Sequence, residues 1–299
     1  MHTRTNVGSV PPQLLVLAGI VSVQFGSAFA DKLFGRAGPA GVVLMRLAFG
    51  AALLLILIRP RVSGRSSRDW RAAAGFGLVL AGMNWSFYEA LKLLPLGVAV
   101  TIEFIGPLTV AIAGSRKLLD LLWVVLAAGG VGLLAVGGAN GAGESLSVRG
   151  MLLALLAGTF WAGYILLSQR VGAAFSGLDG LALALAFGSL LVIPAGIIQG
   201  GSALLDPAVL AAGLLVALMS SVIPYSLELI ALRRLSAAAF GLLMSLEPGF
   251  AALAGVIVLS QALQLRTVLA LLMVIAASAG TTLDARRPAP EPAGAIHPD

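Results

Sequence analysis

Ten runs of about twenty apolar residues, separated by short breaks, constrain this chain more than any other feature. A helix needs about 20 apolar residues to cross the hydrocarbon of a bilayer. Such runs fall at 13–34, 39–58, 70–91, 95–114, 118–138, 149–169, 179–199, 207–230, 235–259 and 263–284. The breaks carry glycine, proline and charge, as at Gly35-Arg36-Ala37-Gly38-Pro39 and from Arg59 to Arg71. Composition agrees: 59% of the residues are hydrophobic and 11% are charged, against about 25% charged in soluble domains. The expected fold is an all-α polytopic membrane protein with ten transmembrane helices.

The basic residues set an orientation. With the N-terminus inside, the inner loops collect Arg4, Arg59, Arg61, Arg65, Arg68, Arg71, Arg116, Lys117, Arg170, Arg233, Arg234, Arg286 and Arg287. The outer loops keep Arg36, Lys92, Arg149 and Arg266. This positive-inside bias puts both termini in the cytoplasm of a bacterial inner-membrane protein. The net charge of +6 is therefore a topology signal and not a nucleic-acid footprint. The chain has no cysteine, and its two histidines, His2 and His297, lie in the termini. Disulfides and thiolate chemistry are excluded. With no nucleophile, metal or paired-aspartate signature, neither an enzyme nor a cofactor is expected. No charged-then-apolar leader with a small-residue cleavage site precedes the first run, so no removable signal peptide is expected. Residues 285–299, four of them prolines after position 287, read as a disordered cytoplasmic tail.

The chain also repeats itself. At an offset of 141 residues, Ala90-Leu91-Lys92 matches Ala231-Leu232-Arg233, Pro107 matches Pro248, and Gly114 matches Gly255. Leu47-Ala-Phe-Gly50 recurs as Leu185-Ala-Phe-Gly188. The halves are 13–138 and 149–284, with five runs each. Five is odd, so the second half starts from the opposite side of the membrane. That is an inverted repeat, the architecture of many secondary transporters, which place a cavity at the interface of the halves.

Charge inside the apolar runs marks the candidate site. A charge at the bilayer centre costs about 2.5–3.5 kcal/mol on insertion scales, so such residues face a cavity or each other. Glu103 lies one helical turn before Pro107 and projects to the same side. Glu247 directly precedes Pro248, which biases the backbone there away from regular helix. A carboxylate beside freed carbonyls suits a protonated amine, a donor-only group; alternatively, Glu247 fixes helix packing. Arg46 needs an anion, either a substrate carboxylate or a glutamate in an intramembrane pair. Glu89 and Glu228 fall near run ends, where a charge can reach the interface. Glu228 also follows Pro224-Tyr225 at helical spacing and so can line a cavity. Asp31 and Lys32 read as interfacial. Trp161, Tyr164 and Ser168 form one stripe, either packing or cavity lining. Asn84, with Trp85 and Tyr88, is similar, and Gln24 adds an uncharged polar group to the first run.

Five segments carry a resemblance to a known family. They are Gly82-Met-Asn84-Trp-Ser-Phe-Tyr88, Pro95-Leu-Gly-Val-Ala, Glu103-Phe-Ile-Gly-Pro107, Pro224-Tyr-Ser-Leu-Glu228 and Phe240-Gly-Leu-Leu-Met-Ser-Leu-Glu247-Pro248. They resemble the threonine/homoserine exporters in the EamA branch of the drug/metabolite transporter superfamily, over about 13–284. The resemblance implies a central cavity lined by helices one to four and six to nine. It implies efflux of small neutral amino acids, threonine and homoserine among them, driven by the proton gradient. On this reading Glu103 or Glu247 holds the substrate ammonium, and Arg46 or Asn84 its carboxylate. Trp161, Tyr164, Tyr225 and Glu228 complete the lining, and Pro107 and Pro248 supply kinks. Other EamA-type exporters carry other metabolites or toxic amphiphiles, and a transport-dead scaffold or sensor is the rival from another class. One departure stands out: relatives commonly carry Gly-Glu after the ninth helix, where this chain has Ser260-Gln261. For the orientation, a fluorescent protein fused after Asp299 is expected to fluoresce, and an alkaline phosphatase fused there to be inactive. The opposite pattern would reverse the topology.

Overall fold

The computed structural model describes residues 10–113, 118–135, 146–232 and 234–284, and among them no strand occurs. The helices are α1 (Pro12–Ile58), α2 (Ser67–Leu91), α3 (Leu96–Glu103), α4 (Ile105–Ala113), α5 (Leu118–Ala135) and α6 (Val148–Ala174). They continue as α7 (Asp179–Gly200), α8 (Pro207–Ala217), α9 (Ile223–Leu232), α10 (Ala237–Met244), α11 (Glu247–Leu259) and α12 (Leu265–Asp284). The described residues of the ten apolar runs are mainly helical, with breaks inside the fourth and ninth. Seven helical stretches among these residues are long and apolar enough to cross a membrane. The tail 285–299, Gly114 and the end of the fifth run at 136–138 lie outside the described residues.

α1 spans 47 residues; straight, it would measure about 70 Å, more than twice the hydrocarbon thickness. It breaks at Gly38, whose φ of 65° and ψ of 160° are non-helical, immediately before Pro39. Glycine is required there: the left-handed φ disfavours any side chain, and a Cβ would lie 2.8 Å from Gln199 Oε1. Past the break, the Ala40 N–H donates to that same oxygen at 2.8 Å, so Gln199 of α7 caps the restarted helix. Gln199 Nε2 also donates to Glu89 (3.0 Å), which accepts from Trp85 Nε1 as well. Nearby, Arg36 pairs with Asp206 at 2.6 Å. Asp206 also caps α8 by accepting from Ala208 and Val209 N–H. Those backbone bonds, and then Arg36, hold its carboxyl below the usual range. The cap is therefore fully formed above that range and is lost as pH falls through the lowered value.

Two further breaks begin 141 residues apart in the sequence. Phe104 separates α3 from α4, and Ser245-Leu246 separates α10 from α11. Each precedes a proline by a few residues. Pro107 cannot donate to the carbonyl of Glu103, nor Pro248 to that of Met244, so the ladder loses a rung at both places. The freed Glu103 carbonyl turns toward α6, where a Cβ on Gly158 would lie 2.5 Å from it. A Cβ on Gly106 would in turn overlap the Gly158 carbonyl, so the two glycines allow α4 and α6 to touch backbone to backbone. A fourth irregularity is a π turn at Leu218–Val222, which joins α8 to α9 and packs on α1.

The Ser260-Gln261 departure has a structural account. Ser260 closes α11 in the left-handed conformation at φ 55°, and Gln261 Oε1 accepts the Leu96 N–H at 3.0 Å, capping α3. A left-handed serine is strained by roughly 1 kcal/mol relative to glycine. Ser260→Gly is therefore expected to stabilise the protein by about that amount, read as a raised melting temperature in detergent. Gly158→Leu is expected to cost roughly 3 kcal/mol through overpacking, read as loss of monodisperse protein on size-exclusion chromatography.

Candidate functional site

A cavity of about 940 Å³ lies within the bundle, walled by α1, α2, α3, α4, α6, α7, the π turn, α9, α10, α11 and α12. Eight of the candidate residues line it: Arg46, Asn84, Glu103, Trp161, Tyr164, Tyr225, Glu228 and Glu247. Pro107 lines it too. Pro248 does not; it is buried at the second position of α11. The lining extends to the end of the bundle that carries Phe175, Gly177, Leu178, Leu232 and Thr282.

Glu103 is the last residue of α3 and Glu247 the first of α11, so each carboxyl sits beside a backbone break. Both are buried, at 7% and 5% exposure. Glu247 lies within electrostatic reach of Glu228 and Glu103, so three carboxyls share the cavity. Among the described residues the ion pairs are Arg36–Asp206 and Arg65–Asp179, and neither lies in the cavity. Glu247 Oε2, Gln24 Oε1 and Ser220 Oγ are buried with no hydrogen-bond partner. Glu228 is half-buried in the cavity wall rather than at a helix end facing the interface.

Arg46 is 4% exposed. Its Nε donates to Ser221 Oγ at 3.1 Å, one terminal nitrogen to Tyr88 Oη at 3.1 Å, and the other to the Ser220 carbonyl at 2.6 Å. The guanidinium also faces the Tyr88 ring at 5.5 Å. The glutamate pair expected as one reading of Arg46 is not formed: no carboxylate among the described residues lies within 4.0 Å of it. Three of its five N–H donors are engaged by neutral oxygens, so its charge stands beside the cavity without a carboxylate in contact. The three bonds tie the second arm of α1 to α2 and the π turn.

Asn84 is turned inward on its own helix, with Nδ2 donating to the Leu80 carbonyl at 2.7 Å. That weakens its standing as a carboxylate donor and favours Arg46. The aromatic stripe lines the cavity as a connected wall. Trp161 meets Phe104 edge-on at 5.4 Å, and Tyr164 stacks between Phe76 at 5.1 Å and Tyr225 at 6.4 Å. Ser168 completes it. Glu89, Asp31 and Lys32 are absent from the lining.

Sequence reasoning missed Ser220, Ser27, Ser278 and Thr281, all buried and in the lining. The adjacent Ser220-Ser221 pair in a long apolar run was the available signal for the first. Removing the Arg46 fork should be costly. Arg46→Lys leaves at least one of Tyr88, Ser220 and Ser221 unpaired and is expected to lose roughly 2 kcal/mol of stability, measured by thermal unfolding in detergent.

The geometry has counterparts among known proteins. A model of the EamA-like transporter family matches residues 148–283. The threonine/homoserine exporters RhtA of Salmonella typhimurium (strain LT2) and Escherichia coli (strain K12) are each 41% identical to this chain over 276 residues. Each alignment covers 92% of this chain and 92% of the exporter. A solved structure, described only as a crystal structure of a protein, matches 91% of this chain and 98% of its own with a TM-score of 0.65. At 20% identity that likeness is one of fold alone. The chain belongs to the EamA-like transporter family and is a multi-pass membrane transporter rather than an enzyme.

Proposed function

We propose that this protein is an inner-membrane secondary transporter exporting small neutral amino acids of the threonine/homoserine type from the cytoplasm, by antiport with protons. The observation that carries the reading is the cavity itself. It gathers one guanidinium and three carboxyls, none of them ion-paired, among aromatic walls. A zwitterionic amino acid matches that chemistry, offering an anion to Arg46 and an ammonium to Glu103 or Glu247. The 41% identity to exporters named for threonine and homoserine supports the substrate class.

The transmembrane topology follows the same reading. Counting α1 as two crossings on either side of Gly38, and adding α2 and α5 to the remaining long apolar stretches, gives ten spans. They form two inverted five-helix halves, 13–138 and 149–284, with both termini cytoplasmic. The halves rock about the central cavity, with Pro107 and Pro248 giving compliance to the broken helices. A carboxyl that releases its proton on one side and regains it on the other couples the cycle. Tyr164, Tyr225, Trp161 and Glu228 shape the walls, and Asn84 braces α2.

A second reading is favoured by one observation. The cavity approaches the upper end of the roughly 300–1,000 Å³ typical of drug-sized ligands, and Phe76, Phe87, Phe104 and Phe240 line it. A bulkier metabolite or amphiphile would also fit. Competition of candidate compounds against labelled threonine separates the two.

In inverted membrane vesicles energised by a pH gradient, the wild-type protein is expected to accumulate threonine, and Glu103→Gln and Glu247→Gln are each expected to abolish this. Unchanged accumulation in both variants would remove the proposed carboxyl roles.

A further inference from the structure

We propose that the loop joining α1 to α2 is a docking surface for anionic phospholipid headgroups, presented by Arg59, Arg61, Arg68 and Arg71. The inference goes beyond the exporter reading and does not depend on which substrate the cavity takes.

Residues 59–71 hold five arginines and a single acid, Asp69. Asp69 is committed locally: its carboxylate accepts the Ser66 N–H at 2.9 Å in the capping box that starts α2. Arg65 is committed inward. It donates to the Ala174 carbonyl at 2.6 Å and to that of Arg61 at 3.1 Å. Its guanidinium also lies 4.7 Å from the centre of the Phe175 ring and 4.0 Å from Asp179. The other four arginines are exposed, and among the described residues no carboxylate lies within 4.0 Å of any of them. A guanidinium without an acid is a bidentate donor suited to a phosphate.

The loop has a fixed shape. Arg59 turns the chain at the end of α1 in the left-handed conformation at φ 51°, with its N–H bonded to the Leu55 carbonyl at 3.0 Å. Arg65 holds the middle, and the capping box holds the far end, where Arg71 Nε donates to the Ser67 carbonyl at 3.3 Å. A positive-inside bias asks only for the number of basic residues in a loop, not for a loop held in one form. Arg65 also ties this loop to the α6–α7 turn, whose Phe175, Gly177 and Leu178 line the end of the cavity.

Its neighbours put the loop at the level of the headgroups. Ile56 and Leu57, in the last turn of α1, are 68% and 71% exposed, and Val62 is exposed as well. In a membrane transporter, apolar side chains so exposed face acyl chains. On the other flank, Trp70 stands between Arg68 and Arg71, half-buried and edge-on to Phe187 at 6.1 Å. Tryptophan is enriched at that level of the bilayer. Clusters of about four to eight basic residues beside a membrane-crossing helix attract anionic lipid. The apolar flanks favour a lipid over a soluble acidic partner.

The test measures thermal unfolding of the full-length protein in a non-ionic detergent, with added dioleoylphosphatidylglycerol or the neutral dioleoylphosphatidylcholine. Phosphatidylglycerol is expected to raise the melting temperature by roughly 5 °C more than phosphatidylcholine at the same mole fraction. About 1 M salt should largely remove the difference. Combining Arg59→Gln, Arg61→Gln, Arg68→Gln and Arg71→Gln is expected to bring the two lipids to within about 1 °C of each other. If that variant does not elute as a monodisperse species, the pairs Arg59→Gln/Arg61→Gln and Arg68→Gln/Arg71→Gln decide, each expected to lose about half of the shift. Equal stabilisation of the wild-type protein by both lipids would overturn the proposal, as would an undiminished shift in the variants. An equal shift from inorganic phosphate would mark a free-anion site and overturn it too. Failure of the wild-type protein to transport threonine would overturn the exporter reading alone, since the melting shift needs no substrate.

Discussion

A guanidinium withdrawn from water with no carboxylate against it is the constraint from which the centre of this protein is built. Desolvating an ion is costly, and the cost is met here by directed hydrogen bonds rather than by a counter-charge. Tyr88, the Ser220 carbonyl and Ser221 converge on Arg46 from two other segments of the chain. The Ser220 carbonyl is available because the helix widens into a π turn there. The π turn can approach because Gly26 has no side chain. The bonds thus order a chain of dependencies that runs from one charged residue to the local backbone geometry. A salt bridge would have neutralised the group; this arrangement keeps its charge.

The glycines and prolines divide the remaining work. Glycines at 106 and 158 let two helices meet at the level of the backbone, next to the carbonyl that Pro107 leaves unpaired. Side-chain caps then replace backbone partners at the restarts: Gln199 at Ala40 and Gln261 at Leu96.

Most of the fold could be read from the chain, because hydrophobic length is a strong and local signal. The apolar runs are mainly helical, and Gly38-Pro39 divides the first two as their chemistry demands. The acidic residues of the cavity were legible for an equally direct reason: an intramembrane carboxyl is too costly to be decorative, and Glu103, Glu228 and Glu247 all line the cavity. What escaped was relational. The partners of Arg46 lie 42, 174 and 175 residues away, and two of the three are groups that any sequence contains in abundance. Asn84 looked like a free donor, yet bonds to its own helix four residues back. The π turn leaves no local composition signature, and the Ser220-Ser221 pair gains meaning only once α1 is packed against it.

The matched breaks before Pro107 and Pro248 place their neighbouring carboxyls unequally. Glu103 terminates a helix, at the electron-rich end where carbonyls point outward, whereas Glu247 begins one, at the electron-poor end where N–H groups point outward. Two prolines 141 residues apart in the sequence thus stand beside acids on which the helix ends apply fields of opposite sign. A molecule entering between them meets a space with a built-in polarity, and can lie across it in only one sense without opposing that field.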